Sequence, residues 1–302
     1  MDIVVVGSVA YDSVKTPFGN VDRALGGSAS YFSTAASFFT QVKMVAVVGE
    51  DFEQEHIDFF KSRGIDTQGL VVKKGRSFFW EGEYGCALNE AITKQTQLNV
   101  FADFAPELPE AYREAKVVFL ANIDPDLQCE VTRQVMNPSF VAADTMNFWI
   151  EGKPESLKRM LGKADILLIN ETEARMLADQ PNLVAAAKTI RSMGPEILVI
   201  KQGEYGALLF DGTGVFSAPA YPLEEVFDPT GCGDTFAGGF MGYIAKTGDL
   251  KNENLRRAVI MGSVLASFNA ESFSLDRQRS LTMEEIQQRY AEFGRLVHFG
   301  DL

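Results

Sequence analysis

The sequence predicts an α/β fold, a doubly wound and mostly parallel sheet flanked by helices, with a small inserted β-sheet as a lid. Three observations predict it. Short apolar runs rich in β-branched residues, at 3–6, 43–49, 117–120, 140–142 and 166–169, alternate with stretches of helical period. Between 69 and 104 that alternation stops, and short strand-like runs follow one another across polar turns. Near the C-terminal end, Asp228-Pro229-Thr230-Gly231-Cys232-Gly233-Asp234-Thr235-Phe236 reads as a glycine-rich turn that opens a helix.

The bulk properties set the frame. With 302 residues, 46% of them hydrophobic, residues 1–302 read as one domain with a sizeable core. The lid is expected from about 11–24 and 69–104. A net charge of −13 argues against a nucleic-acid surface, which needs basic patches to meet phosphates. No apolar run approaches the length of a membrane span, and the first residues lack a signal-peptide pattern, so a cytoplasmic location and no membrane partner are expected. Cys86, Cys129 and Cys232 are odd in number and far apart, which suggests neither a disulfide framework nor a zinc site. His56 and His298 offer little for a metal site or a catalytic triad and read as ordinary surface or helix residues.

The elements follow in order. Residues 3–6 read as a buried strand, and Asp12 stands just beyond its carboxyl end, the edge where ligands of open α/β sheets collect. Gly26 and Gly27 let backbone approach a ligand and lead into a small-residue helix at 32–39, past Tyr31. A strand at 43–49 and a helix at 51–63 come next. Strands at 70–72, 77–82 and 96–101 compose the lid, whose Phe78, Phe79, Trp80 and Tyr84 fit stacking on a ligand, sheet packing and a homodimer contact about equally. Helices are expected at 126–136 and 154–162. At the strand ends stand Asn122, Asp124, Asp144 and Asn147, of which Asn122 is favoured as a substrate contact.

Asn170-Glu171-Thr172-Glu173 opens a helix as a capping box or as something more. Residues 196–206, holding Lys201, Gly203 and Gly206, join two strands by a tight turn, and 207–210 with 215–217 read as a hairpin. A helix at 255–268 carries Gly262, Ser263 and Ala266 on one face. A second amphipathic helix, at 282–294, reads as packing.

The late turn holds the chemistry. Free N–H groups at a helix start, with the helix dipole behind them, attract an anion. A carboxylate there repels that anion, so Asp234 makes chemical sense as a base taking a proton from a hydroxyl that attacks a phosphate. The bland alternative is a turn and a helix cap.

The run Asp-Pro-Thr-Gly-x-Gly-Asp-Thr-Phe-x-Gly-Gly-Phe at 228–240 closely resembles the signature of the ribokinase-like, or PfkB, family of carbohydrate and nucleoside kinases. The resemblance implies a catalytic base at Asp234 and an anion hole at Gly231, Cys232 and Gly233. It also implies an acceptor site at Asp12, Gly26, Gly27 and Tyr31, and nucleotide contacts at Asn170, Lys201, Gly203, Gly206 and Gly262. Glu173 would hold the water shell of Mg²⁺, a hard cation suited to carboxylate oxygen. In some relatives the carbonyl at the Asp228 position lends oxygen to a monovalent cation such as K⁺. One departure stands out, because Tyr31 occupies the position where the family usually has asparagine.

ATP-dependent transfer to a hydroxyl of a small sugar or polyol is therefore expected. A nucleoside kinase is the nearest rival, and a non-catalytic ligand-binding relative a more distant one. A dinucleotide-binding dehydrogenase is disfavoured, since Gly7 lacks the Gly-x-Gly-x-x-Gly continuation, and no P-loop motif occurs. Cys232, at a helix start, is expected to have a lowered pKa.

Overall fold

The computed structural model describes residues 1–86 and 88–298. The chain opens with β1 (Ile3–Val6), β2 (Ala10–Thr16), β3 (Gly19–Gly26) and α1 (Ser28–Ala36), then β4 (Val42–Gly49), α2 (Gln54–Ser62), β5 (Asp66–Lys73), β6 (Phe78–Tyr84) and β7 (Ala91–Gln97). Strict alternation follows: β8 (Val117–Leu120), α3 (Pro125–Gln134), β9 (Phe140–Ala143), α4 (Asn147–Gly152), α5 (Pro154–Leu161), β10 (Ile166–Asn170), α6 (Glu171–Ala178), α7 (Leu183–Arg191) and β11 (Ile197–Lys201). The hairpin β12 (Ala207–Asp211) and β13 (Gly214–Ala218) precedes α8 (Cys232–Thr247), α9 (Asn252–Asn269), α10 (Asp276–Ser280) and α11 (Met283–Val297).

The large sheet has nine strands in the order β13-β12-β11-β10-β9-β8-β1-β4-β5. Every pairing from β11 to β5 is parallel, and the β12–β13 hairpin closes one edge antiparallel. Helices cover both faces, which is why β1 is buried along its whole length. Ile3 and Val5 join the core under α1, α8 and α9, while Val4 and Val6 join the core under α3, α5, α6 and α7. This is the ribokinase-like architecture expected from the sequence.

Three local expectations are corrected. Residues 70–72 belong to β5, which pairs parallel with β4 as the edge strand of the large sheet; Leu70 packs on the core, while Val71 and Val72 are exposed. The small separate sheet, expected as the lid, instead consists of β3-β2-β6-β7, with β2 and β6 parallel to each other. Its last strand lies at Ala91–Gln97, and the run read as a strand at 96–101 mostly forms a 3₁₀ turn, Asn99–Asp103. The small-residue helix starts at Ser28, directly after Gly27, whose φ of 92° turns the chain. His56 is a helix residue of α2, within the expectation, and is buried against Tyr11 and Phe52.

The helix that carries the late turn sits close to its neighbours. A Cβ on Gly238 would stand 2.4 Å from the Phe32 carbonyl oxygen, so α8 approaches α1 only because that position is glycine. Among the described residues no helix is long and apolar enough to cross a membrane.

Candidate active site

The Gly231 turn is built by backbone strain and held by buried polar groups. Gly231 is the N-cap of α8 at φ 73°, a left-handed conformation that favours glycine. The Cys232 N–H donates to the Pro229 carbonyl at 3.1 Å, while the Gly231 and Gly233 N–H groups meet no acceptor among the described residues. Of the three amides expected to form the anion hole, the outer two are therefore open and the middle one is engaged.

Asp228 accepts from the Thr230 and Ser274 N–H groups at 2.9 and 3.1 Å, next to the carbonyl where the resemblance places a monovalent cation. Asn269 donates to the Thr230 carbonyl, and Gln278 donates to both Thr235 and Asn269. Asn269 and Gln278 carry no sequence signal. They become bracing residues only because α9 and α10 pack behind the turn.

Four ionisable groups converge beside it. The Lys201 ammonium lies 3.4 Å from Asp144 Oδ2, and a Cβ on Gly233 would stand 3.1 Å from the same nitrogen. Burial pushes the Asp234 carboxyl up to about 7; the Asp144 charge pushes the same way and Lys201 opposes it. Burial and the neighbouring Asp144 raise Glu173 as well. Lys201 is raised because the attraction of Asp144, Glu173 and Asp234 outweighs its own desolvation, so the proton stays on the lysine. Asp144 stood among the strand-end polar residues of the sequence, where Asn122 was favoured. The structure shows Asn122 accepting from Trp149 Nε1 at 3.0 Å, with its amide against Met146, so its polar atoms are taken up within the protein.

Asn170 and Glu173 do form the capping box of α6: Asn170 Oδ1 accepts from the Glu173 N–H, and Glu173 Oε2 accepts from the Asn170 N–H, both at 2.8 Å. Glu173 Oε1 is left over. The capping reading is borne out, and the same carboxyl feels the charges of Asp144, Lys201 and Asp234.

A cavity of about 590 Å³ opens from this cluster. Asn170, Lys201, Gly203, Gly206, Cys232 and Gly233 line it, with Ser263, Ala266 and Ser267 of α9 along one wall. Gly262 does not line it. A Cβ there would stand 2.9 Å from the Phe236 carbonyl oxygen, so this glycine lets α9 pack against α8. The lid turn forms the opposite rim, where Asn89 donates to Glu204 at 3.2 Å and Thr172 donates to Glu90 at 3.4 Å.

On the other side of the Gly231 turn lie Asp12, Tyr31 and Tyr84. Asp12, in β2, is buried and raised to about 7, first by desolvation and then by the Asp228 charge. A Cβ on Gly26 would stand 1.9 Å from Asp12 Oδ2, so only glycine leaves room for that carboxylate. Tyr84 accepts from Thr230 Oγ1 at 3.3 Å and ties the lid to the turn. Other lid aromatics are engaged within the protein, Phe78 stacked on Phe101 and Trp80 donating to Thr93.

The Cys232 expectation is overturned. Burial raises its thiol to about 12 and the Asp228 and Asp234 charges add to the rise, while the Asn269 amide, donating to the sulfur, opposes it.

The family model described as "pfkB family carbohydrate kinase" matches residues 2–279. The chain is 30% identical to the cytidine kinase of Thermococcus kodakarensis over 251 residues, which is 80% of this chain and 87% of that protein. It is 26% identical to a nucleoside kinase of Methanothermobacter thermautotrophicus over 97% of each chain. The nucleoside kinase of Burkholderia thailandensis, solved in complex with inosine, has the same fold, with a TM-score of 0.76 at 21% identity over 96% of this chain and 98% of that one.

Proposed function

Because the chain belongs to the pfkB carbohydrate kinase family, whose named relatives here are ATP-dependent phosphotransferases, we propose that it transfers the γ-phosphoryl group of ATP to a hydroxyl of a nucleoside. The observation that carries this reading is the similarity to a cytidine kinase along four-fifths of the chain, 30% over 251 residues. The sugar or polyol expected from the motif is the rival acceptor.

The geometry supports a division of labour. ATP enters the cavity between the lid turn and α9, with its phosphates directed at the Gly231 turn. The acceptor approaches from the Asp12 side, where Asp12 accepts from its hydroxyls. Asp234 takes the proton of the attacking hydroxyl as its oxygen bonds to the γ-phosphorus and the bond to the β-phosphate oxygen breaks, releasing ADP. The open Gly231 and Gly233 amides and the Lys201 ammonium face the charge that builds on the transferring group.

Mg²⁺ fits this site, because Asp144 and Glu173 are buried hard-oxygen donors whose carboxyls burial pushes up, with Lys201 opposing the rise. Glu173 would help hold it, and it would supply charge neutralisation on the phosphates.

The test is ADP release on a panel of ribonucleosides, pentoses, hexoses and polyols. Turnover of nucleosides at the highest kcat/KM is expected. Selective turnover of a free sugar would replace the nucleoside reading with the sugar one.

A further inference from the structure

Gln128 stands where an amphipathic helix ordinarily carries an apolar residue. Pro125, Gln128, Cys129 and Val131 form the buried face of α3, and Gln128 has no exposed surface at all. A buried amide costs stability unless it is hydrogen-bonded. Its Nε2 group donates to three backbone carbonyls, those of Leu120 at 3.2 Å, Ala121 at 2.9 Å and Asp144 at 3.0 Å. Three carbonyl oxygens around one end of an amide require the NH2 there, because the amide oxygen would be repelled. The other end, Oε1, is buried without a partner among the described residues. The side chain thus satisfies its donors and leaves its acceptor bare, an arrangement that a packing role does not call for.

The three carbonyls lie at the edge where the sheet meets the candidate site. The parallel ladder of β8 and β9 ends at Leu120 and Ala143, and Asp144 follows directly. The Asp144 N–H still donates to the Leu120 carbonyl at 2.9 Å, and just past that bond Gln128 bridges the two strand ends. Every polar group of Asp144 is then engaged. Its carbonyl accepts from Gln128, its Oδ1 accepts from the Thr145 N–H at 2.7 Å, and its Oδ2 faces the Lys201 ammonium at 3.4 Å. Among the described residues Gln128 is the one side chain that holds the main chain of Asp144. It does not line the cavity, so its reach into the site runs through Asp144.

We propose that Gln128 is a positioning residue of the phosphoryl-transfer site: by clipping the ends of β8 and β9 together it aims the Asp144 carboxylate, and through it the Lys201 ammonium beside Gly233. The inference rests on the kinase reading above for what Lys201 does there. A misplacement of about 1 Å in a group poised for a transition state costs on the order of a hundredfold in rate. Loss of the clip therefore shows in turnover before it shows in binding.

The test uses Gln128→Met, which keeps an unbranched side chain of similar length and removes the amide, and Gln128→Glu, whose carboxyl, buried among carbonyls, stays protonated and keeps one donor. Both are compared with the intact protein, with Asp144→Asn and with Gln128→Met in the Asp144→Asn background, on the acceptor of highest kcat/KM in the panel. Gln128→Met is expected to lower kcat about tenfold or more, with KM for ATP and for the acceptor each within about twofold. Gln128→Glu should lose less than Gln128→Met, whereas a packing role would rank them the other way, methionine being the apolar one. In the Asp144→Asn background the loss from Gln128→Met should shrink to about twofold or less, because residues that act through one another are not additive. Crystal structures give a readout independent of activity: the Lys201–Asp144 separation of 3.4 Å should change by about 1 Å in Gln128→Met.

An unchanged kcat in Gln128→Met, or a loss of the same size in both backgrounds, would overturn the inference while leaving the kinase reading intact. So would a Gln128→Glu protein slower than Gln128→Met, or an ion pair unmoved in the variant crystal. Should Gln128→Met not fold, the smaller loss in Gln128→Glu is read in the two backgrounds in the same way. Absence of ADP release from every acceptor would overturn the kinase reading, and the Lys201–Asp144 separation in the two crystal structures would still decide the clip.

Discussion

Lys201 and Asp144 form an ion pair of 3.4 Å inside the protein, at the ends of two strands of the large sheet, and the lysine end of that pair lies against Gly233 of the anion hole. A buried pair of this kind adds little net stability, because desolvation of both charges offsets their attraction. Its effect is on position and on neighbours. Asp144 holds the ammonium beside Gly233, where the proposed mechanism brings the transferring phosphoryl group, and the ammonium lowers Asp234 against the upward push of burial.

Lys201→Ala should lower kcat on the order of a hundredfold, the usual loss when one preorganised donor to a transition-state charge is removed. The pH profile carries a second signature. In the intact protein the rate should climb through about pH 7 as Asp234 ionises, and the same limb should move to higher pH in the variant. A kcat/KM profile that keeps its midpoint in Lys201→Ala would show that the lysine does not act on the base.

Asp234→Asn should abolish turnover by several orders of magnitude while ATP still binds. It should also stabilise the fold, in a pH-dependent way. The Asp234 carboxyl binds its proton more tightly in the folded protein, at about 7 against 3.8 for the ordinary value, so its ionisation opposes folding. The penalty is absent below the ordinary value, grows between the two and is complete above about 7. Thermal unfolding should therefore show a gain of order a few kcal/mol for Asp234→Asn at about pH 8, shrinking toward about pH 5. A gain of the same size at both pH values would contradict the assignment.

Cys86 is exposed on the lid turn, whereas the Cys232 thiol is pushed up to about 12. Iodoacetamide at mildly alkaline pH should label Cys86 and leave Cys232 unmodified, as read by peptide mass spectrometry. Labelling of Cys232 ahead of Cys86 would mean that the helix start outweighs burial after all.

Gly231→Ala and Gly233→Ala should separate strain from contact. Alanine at 231 would carry a φ of 73° and drive its Cβ into the Tyr31 ring, so both thermal stability and kcat should fall. At 233 the new Cβ meets chiefly the flexible end of Lys201 at 3.1 Å. That variant should lose activity with little change in melting temperature.

The alternation of apolar strands and helices was legible because both faces of a parallel sheet must be apolar, and this leaves runs such as 166–169 in plain view. The Gly231 turn was legible because left-handed backbone and a tight approach restrict the residue types that fit. Residues 70–72 were misassigned to the lid because a sheet-edge strand and a lid strand have the same composition, and only pairing with β4 separates them. Cys232 was misread because its position in the helix is visible in sequence while the carboxylates facing it from 228 and 234, and the atoms that bury it, are not.

By itself, the sequence determined the fold class and the glycine-rich turn, which follow from local backbone and side-chain demands, and its motif pointed to the kinase family. The tertiary structure alone decided that Asp144 pairs with Lys201 and that the Asn122 amide is bonded to Trp149 and Met146. It also decided that Asn269 and Gln278 brace the turn and that the Tyr31 hydroxyl is buried without a partner among the described residues. Those facts depend on which charges share a buried volume, and residues separated by tens of positions come to share one only when the chain has packed.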